Sequence, residues 1–424
     1  MIWARYLCLS VPAAAVLIAA RLDRDRAAWA GGLLAFVAAA VGIAGLHEVA
    51  TAAGWYAFAP VDGAYRGLPV DLWLGWAALW GPLPVLLRRA VPVPVALGLL
   101  LWLDVVAMPA LDPLLLLGPH WLQAEALGIL LVALPAQVLG RWTADRDHLV
   151  GRALLQVATF TGLTLWLVPS VAFTLGDGGW DRAARLPAPL LFVLAQIALA
   201  VAVPALAAVT EFVTRGGGTP FPWDPPQRLV TTGPYAYLAN PMQAGTVLLL
   251  LLLAAATASV TLVAAALLAV AFSAAVAAPH ERHDMRQRYG NDWLAYRREV
   301  RDWWPRHRPY TAGPPSRLWL DEDCGPCTAV RDFLREREPQ HLEVLAAAAA
   351  PTTLWRASYD GADGHTTSGV AAVARGLHHL TLGWAYAGWL LMLPGVGWLT
   401  QLVTDALIAP PHPAGGRVAP QGEQ

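Results

Sequence analysis

The chain has 424 residues, 57% of them hydrophobic and 14% charged, and a net charge of −1. An apolar excess of this size, gathered in long uncharged runs, places it among integral membrane proteins and excludes an ordinary soluble domain. All 29 basic residues are arginine and form no basic stripe, so a nucleic-acid partner has no electrostatic footprint, and three cysteines are too few for a disulfide scaffold.

Apolar segments near the spanning length of about 20 residues fall at 2–20, 27–48, 69–87, 90–109, 122–140, 153–175 and 187–210. The opening stretch lacks the clustered positive charge of a signal peptide and reads as an uncleaved first helix, with Cys8 a structural thiol inside it. A continuous run from Leu238 to Ala278 is long enough to cross twice, turning near Thr257 to Ser259. The expected fold is therefore an α-helical polytopic membrane protein of about nine transmembrane helices.

Arginine bias orients it. If Arg21, Arg24, Arg26, Arg88, Arg89, Arg141, Arg146 and Arg152 are cytoplasmic, the opposite loops hold only Arg66, Arg182 and Arg185. That alternation puts everything after His280 in the cytoplasm of a plasma (inner) membrane protein. Within residues 1–180, His47, Glu48, Asp104 and Glu125 are ionisable groups in apolar surroundings, which helix pairing explains as well as function does. "GWYAFAPVDGAYRGLPVDLWLGWAALWG" and "LDVVAMPALDP" faintly resemble membrane carotenoid-pathway proteins.

Between the seventh segment and the double run lies "GTPFPWDPPQRLVTTGPYAYLANPMQAG", too broken by Pro and Gly to span. After the run comes "PHERHDMRQRYGNDWLAYRREVRDWWP". Tyr235, Tyr237 and Tyr289 offer aromatic faces and Glu281 a carboxylate, groups that suit a bound cation. Asn240-Pro241 opens a helix whose first backbone donors suit a carboxylate. Loop and following helix together resemble the isoprenylcysteine carboxyl methyltransferase family of membrane methyltransferases, over about Pro187 to Arg308.

That resemblance implies S-adenosylmethionine as cofactor and a small lipophilic acceptor, with Gly233, Pro234, Tyr235, Tyr237, Asn240, Pro241, Gly245, Glu281, Tyr289 and Gly290 in the family's motif positions. The chain departs from the pattern at Ala236 and Ala239, where arginines are common, at Asn240 and Gln243, and at Arg282, which replaces a second glutamate. Each absent cation that made a charge-assisted hydrogen bond would cost about 1 to 3 kcal/mol of cofactor binding. The family fold without activity, serving as a membrane anchor for the C-terminal residues, is one alternative. "RYGNDWLAYRREV" also resembles the end of sterol reductases, which would imply NADPH.

The sequence "RHRPYTAGPPS", residues 306–316, closes this module. "RLWLDEDCGPCTAVRDFLRERE" then reads as a strand, an acidic turn, a Cys-Gly-Pro-Cys and a helix with Val330, Phe333 and Leu334 on one face. A helix N-terminus beside Cys324 favours its thiolate, which makes Cys324 the attacking thiol and Cys327 the resolving one. "HLEVLA" is a further strand, with a hairpin turning at "DGADG".

This start is thioredoxin-like, and Asp321-x-x-Cys324-x-x-Cys327 resembles the DCC family of thiol-disulfide oxidoreductase-like proteins over about Ser316 to Ala409. The resemblance implies a cytoplasmic α/β domain with a redox-active dithiol, Asp321 in its motif, a thiol-bearing partner, and a cis-proline, here Pro351, opposite the cysteines. No metal is expected, since His341, His365, His378 and His379 lack finger spacing. Pro394 should break the apolar stretch 380–399 into two short helices on the membrane surface; a tenth span is the alternative. The expected division is 1–180, 181–310, 311–410 and a disordered tail 411–424.

Overall fold

The computed structural model describes residues 2–221 and 223–414, so the expected tail lies, from residue 415 on, outside them. The chain divides into two compact units: Met1–Arg185 with Gly218–Pro225 and Leu253–Ala264, and Leu186–Gly217 with Pro226–Leu252 and Ala265–Gln424.

Among the described residues six helices are long and apolar enough to cross a membrane: Ile2–Leu22, Arg26–Ala52, Val93–Leu111, Trp121–Asp145, Leu149–Leu175 and Ala188–Gly216. The chain is a multi-pass membrane protein. The other three apolar stretches behind the expected nine are helical but shorter, at Val70–Leu86, Pro241–Thr257 and Val260–Ala275. Val70–Leu86 is interrupted at Gly81, where an added Cβ would lie 2.5 Å from the Ala35 carbonyl oxygen.

In the first unit small residues set the helix spacing, as expected where lipid supplies no hydrophobic drive. A Cβ at Gly31 would meet the Gly140 carbonyl oxygen at 2.3 Å. Strand β1 (Tyr56–Phe58) pairs antiparallel with β4 (Leu115–Leu117), and β2 (Ala64–Tyr65) with β3 (Leu68–Pro69). Three of the four ionisable groups are tied to neighbours: His47 Nε2 to the Arg66 carbonyl at 3.0 Å, Glu48 to the Arg66 guanidinium at 2.7 Å, and Asp104 to the Trp80 indole N–H at 3.2 Å. Asp177 accepts the N–H groups of Val260 and Thr261 at 2.7 and 3.1 Å, capping the second hairpin helix just after the turn at Ala258.

The second unit carries a four-stranded sheet in the order β6-β5-β7-β8. β5 (Ser316–Leu320) runs parallel to β6 (Leu342–Ala346), joined by the helix Gly325–Glu336, while β7 (Ser358–Asp360) pairs antiparallel with both β5 and β8 (Thr366–Ser368). Leu318, Leu320 and Leu334 are fully buried, with Val330 and Phe333 packed against them. The expected helix break is present: Leu382–Met392 and Val396–Ile408 meet at 88°. The expected cis-proline is not, because the peptide before Pro351 is trans; the Ala347–Ala349 turn delivers the chain to Pro351 through an extended Ala350.

Candidate functional site

The loop before the hairpin helices is anchored by a buried ion cluster within the second unit. Glu211, at the end of the helix Ala188–Glu211, pairs with Arg375, accepts the Thr232 hydroxyl at 2.8 Å and lies 3.7 Å from Arg215, which also pairs with Asp363. Gly233 follows with φ +59°, and a Cβ there would meet the Glu211 side chain at 2.5 Å. That position requires glycine both for its backbone and for the carboxylate beside it.

Past Gly233 the short turn Gly233–Ala236 sends successive residues in different directions. Tyr235 and Asn240 face a cavity of about 50 Å³ closed by Phe212, Pro226, Ala239, Glu281, Arg282, Met285, Trp293, Tyr296, Arg297 and Asp302. Tyr237 does not. It is turned away, its ring edge-on to Trp389 and its hydroxyl 3.0 Å from the carbonyls of His378 and Leu380. Ala236 is buried with Tyr237, Ala385 and Trp389, so of the two positions that depart from the motif's arginines only Ala239 lines the cavity.

The cavity wall carries both signs of charge. Arg297 donates to Asp302 at 2.7 Å, Asn240 donates to the same carboxylate at 3.1 Å, and Arg282 lies 3.4 Å from it. The Glu281 carboxyl is held above the ordinary carboxylate range by the protein packed around it and then by Asp302, against Arg297 and Arg282. Burial pushes the Tyr235 hydroxyl well above a phenol's usual value, so it stays protonated, yet it has no hydrogen-bond partner among the described residues. A buried donor left without a partner is costly, and a bound polar group would satisfy it.

Tyr296 supports this arrangement by donating to the Tyr235 carbonyl at 2.8 Å. Four further motif residues lie outside the lining of this cavity. Pro241 starts the helix Pro241–Thr257; Gly245 lets it approach the preceding helix, since a Cβ there would lie 2.8 Å from Ala205; Tyr289 donates to the Pro226 carbonyl at 2.6 Å. Gly290, at φ 53° and ψ −122°, breaks the helix Ala278–Glu299 in a conformation open essentially to glycine alone. Arg297, Asp302, Trp293 and Tyr296 carry no sequence signal that marks them as cavity residues, although the run "RREVRD" holds the charged pair.

In the sheet region Cys324 caps the helix Gly325–Glu336, its Sγ accepting the Cys327 N–H at 3.4 Å. Burial, and then the neighbouring Cys324, push the Cys327 thiol well up. Asp321 accepts the Asp323 N–H at 3.1 Å and pairs with His412. Among the described residues no three His, Cys, Asp or Glu side chains gather as a metal site.

These features define a multi-pass membrane protein with a mixed-charge cavity at the base of a short helical hairpin. Residues 188–292, which supply most of that cavity's wall, match the phospholipid methyltransferase family model. The match ends before the thiol-bearing region. No curated protein and no solved structure matches the chain.

Proposed function

We propose that the second unit holds a membrane methyltransferase that uses S-adenosylmethionine and acts on a small lipophilic acceptor. One observation carries the reading: most of the residues that converge on a polar cavity beside apolar helices lie in the stretch that matches a methyltransferase family. The cofactor, when bound, supplies an electrophilic methyl on a sulfonium, together with an ammonium and a carboxylate. Glu281 and Asp302 suit the cations, and Arg297 and Arg282 the anion. Tyr235 offers a hydroxyl, Trp293 and Tyr296 aromatic faces for a cation, and the surrounding apolar side chains exclude water.

Room for a few waters is what about 50 Å³ provides, so binding requires the helix Ala278–Glu299 to move, and the break at Gly290 is where its backbone can bend. The arginine distribution supports placing the cavity and everything after it on the cytoplasmic side of a plasma membrane, with the two short hairpin helices completing nine spans.

Calorimetric titration of the full-length protein in detergent with S-adenosylmethionine tests the cofactor. Binding below millimolar concentration is expected. Glu281→Gln, which removes one anionic charge without changing shape, should weaken it roughly tenfold, the size of one charge-assisted contact, and Ala239→Arg should strengthen it. Absence of heat at millimolar cofactor would leave an inherited fold serving as an anchor.

A second reading concerns residues 311–410, which we propose to be a thioredoxin-like thiol-disulfide oxidoreductase. The cysteine cap facing a helix N-terminus supports it, as does the order β6-β5-β7-β8, with a parallel βαβ followed by an antiparallel hairpin. Cys324 attacks and Cys327, kept protonated until needed, resolves. We assign the proton to Asp321, whose charge acts on the Cys327 thiol.

A further inference from the structure

Cys324 and Cys327 open into a chamber of about 230 Å³ whose walls include Leu320, Val330, Trp355, Val373 and Ile408. Its roof is this chain's own C-terminal region. Ala414 and Leu354 exchange two backbone hydrogen bonds of 2.7 Å, and His412 pairs with Asp321. The backbone of Leu354, next to the chamber-lining Trp355, is thereby already paired and not free to take up an extended polypeptide.

Every charged side chain of the wall is answered within the wall. Arg356 grips both oxygens of Asp405 at 2.9 and 2.7 Å, Gln401 donates to Asp405 at 2.7 Å and accepts the Val370 N–H at 2.7 Å, and Asp321 has His412. A charged ligand would lose its hydration and find no free counter-charge, whereas an uncharged apolar one loses nothing. Apolar cavities of roughly 150 Å³ already take up benzene, so this one suits a somewhat larger molecule.

We propose that the chamber binds a small uncharged apolar disulfide and that this class of molecule, rather than a protein or glutathione disulfide, is what the dithiol reduces. The inference rests on the dithiol reading above. The Cys324 thiolate attacks one sulfur of R–S–S–R′; the S–S bond breaks, R′S⁻ leaves and is protonated, and Cys324 carries R as a mixed disulfide. Cys327 gives its proton to Asp321 and attacks Cys324 Sγ; RS⁻ leaves and is protonated. The dithiol has lost two electrons and become a disulfide, and the substrate has gained them as two thiols. A second dithiol, dithiothreitol in the assay, restores the reduced pair.

The test monitors oxidation of the reduced full-length protein in detergent by dibutyl disulfide and by glutathione disulfide. Each rate is divided by that of dithiothreitol with the same reagent in the same detergent, which removes intrinsic reactivity and micelle partitioning. The normalised rate with dibutyl disulfide should saturate and exceed that with glutathione disulfide at least tenfold. Val373→Trp and Ile408→Trp, each adding bulk at a residue of the chamber's lining, should each bring the ratio towards one; Ile408 is exposed, so its variant should fold even if the other does not. A ratio near one in the wild type, or a ratio that both fillers leave unchanged, overturns the inference. If neither disulfide oxidises the pair, the dithiol reading itself fails and takes the inference with it.

Discussion

Glu211→Ala should destabilise the second unit by about 3 to 5 kcal/mol, the cost of leaving a buried charge without its partner. Glu211 and Arg375 are 3% and 4% exposed at their side chains, and Glu211 is the one carboxylate that Arg375 pairs with among the described residues. Arg215 keeps Asp363 when Glu211 is lost, so the penalty falls on Arg375 and on the Thr232 hydroxyl. In detergent the melting temperature should fall by roughly 10 °C. Because the cluster ties residues 211–233 to 363 and 375, the linker 306–316 should also become more susceptible to protease. Replacing both Glu211 and Arg375 with methionine should cost much less than either single change, since a buried pair is replaced by apolar volume rather than broken. A single variant that melts within about 2 °C of wild type would mean that the cluster does not hold the two regions together.

Cys324→Ser should abolish the proposed thiol exchange, a loss beyond about a thousandfold, because the serine hydroxyl has no thiolate form at neutral pH. Cys327→Ser should instead trap a mixed disulfide on Cys324, which non-reducing electrophoresis and mass spectrometry would detect. The asymmetry arises from the cap: Cys324 Sγ faces the Cys327 N–H, while burial keeps Cys327 protonated. A reduction potential near the about −270 mV of thioredoxin would keep the pair largely reduced in a cytosol. Equal trapping by both single variants would contradict the assigned roles.

Hydropathy locates the nine apolar stretches, each of which is helical among the described residues, but it does not fix how long each helix is or what caps it. The Leu238 to Ala278 run reads as two crossings turning near Thr257 to Ser259, and the helices Pro241–Thr257 and Val260–Ala275 do turn there, but both are shorter than a full span, and the second is capped by Asp177 from more than eighty residues away. Nothing local marks Asp177. The break in Val70–Leu86 at Gly81 likewise depends on a neighbouring helix, through the Ala35 carbonyl.

The same limit governs the site. A motif orders residues without aiming them, so Tyr235 and Tyr237, two apart, are equal candidates in the sequence, and the turn Gly233–Ala236 points one into the cavity and the other at His378 and Leu380. Arg297 and Asp302 lie within the stretch that follows the double run with nothing to single them out, yet their ion pair forms one wall of the cavity. In the sheet region, alternation and helical periodicity are enough for β5, β6 and the helix between them, because those elements are stabilised by their own apolar faces. The bridge between Leu354 and Ala414 joins residues without any local signature, and the chamber it closes has no trace in the sequence.

The proposed methyl transfer is tested by incorporation of the labelled methyl group of S-adenosylmethionine into an organic extract of membranes incubated with the full-length protein. Time-dependent, protein-dependent label is expected in the lipid-soluble fraction, reduced at least tenfold by Glu281→Gln. Label confined to the aqueous phase, or lipid labelling equal to that of membranes without the protein, would contradict it.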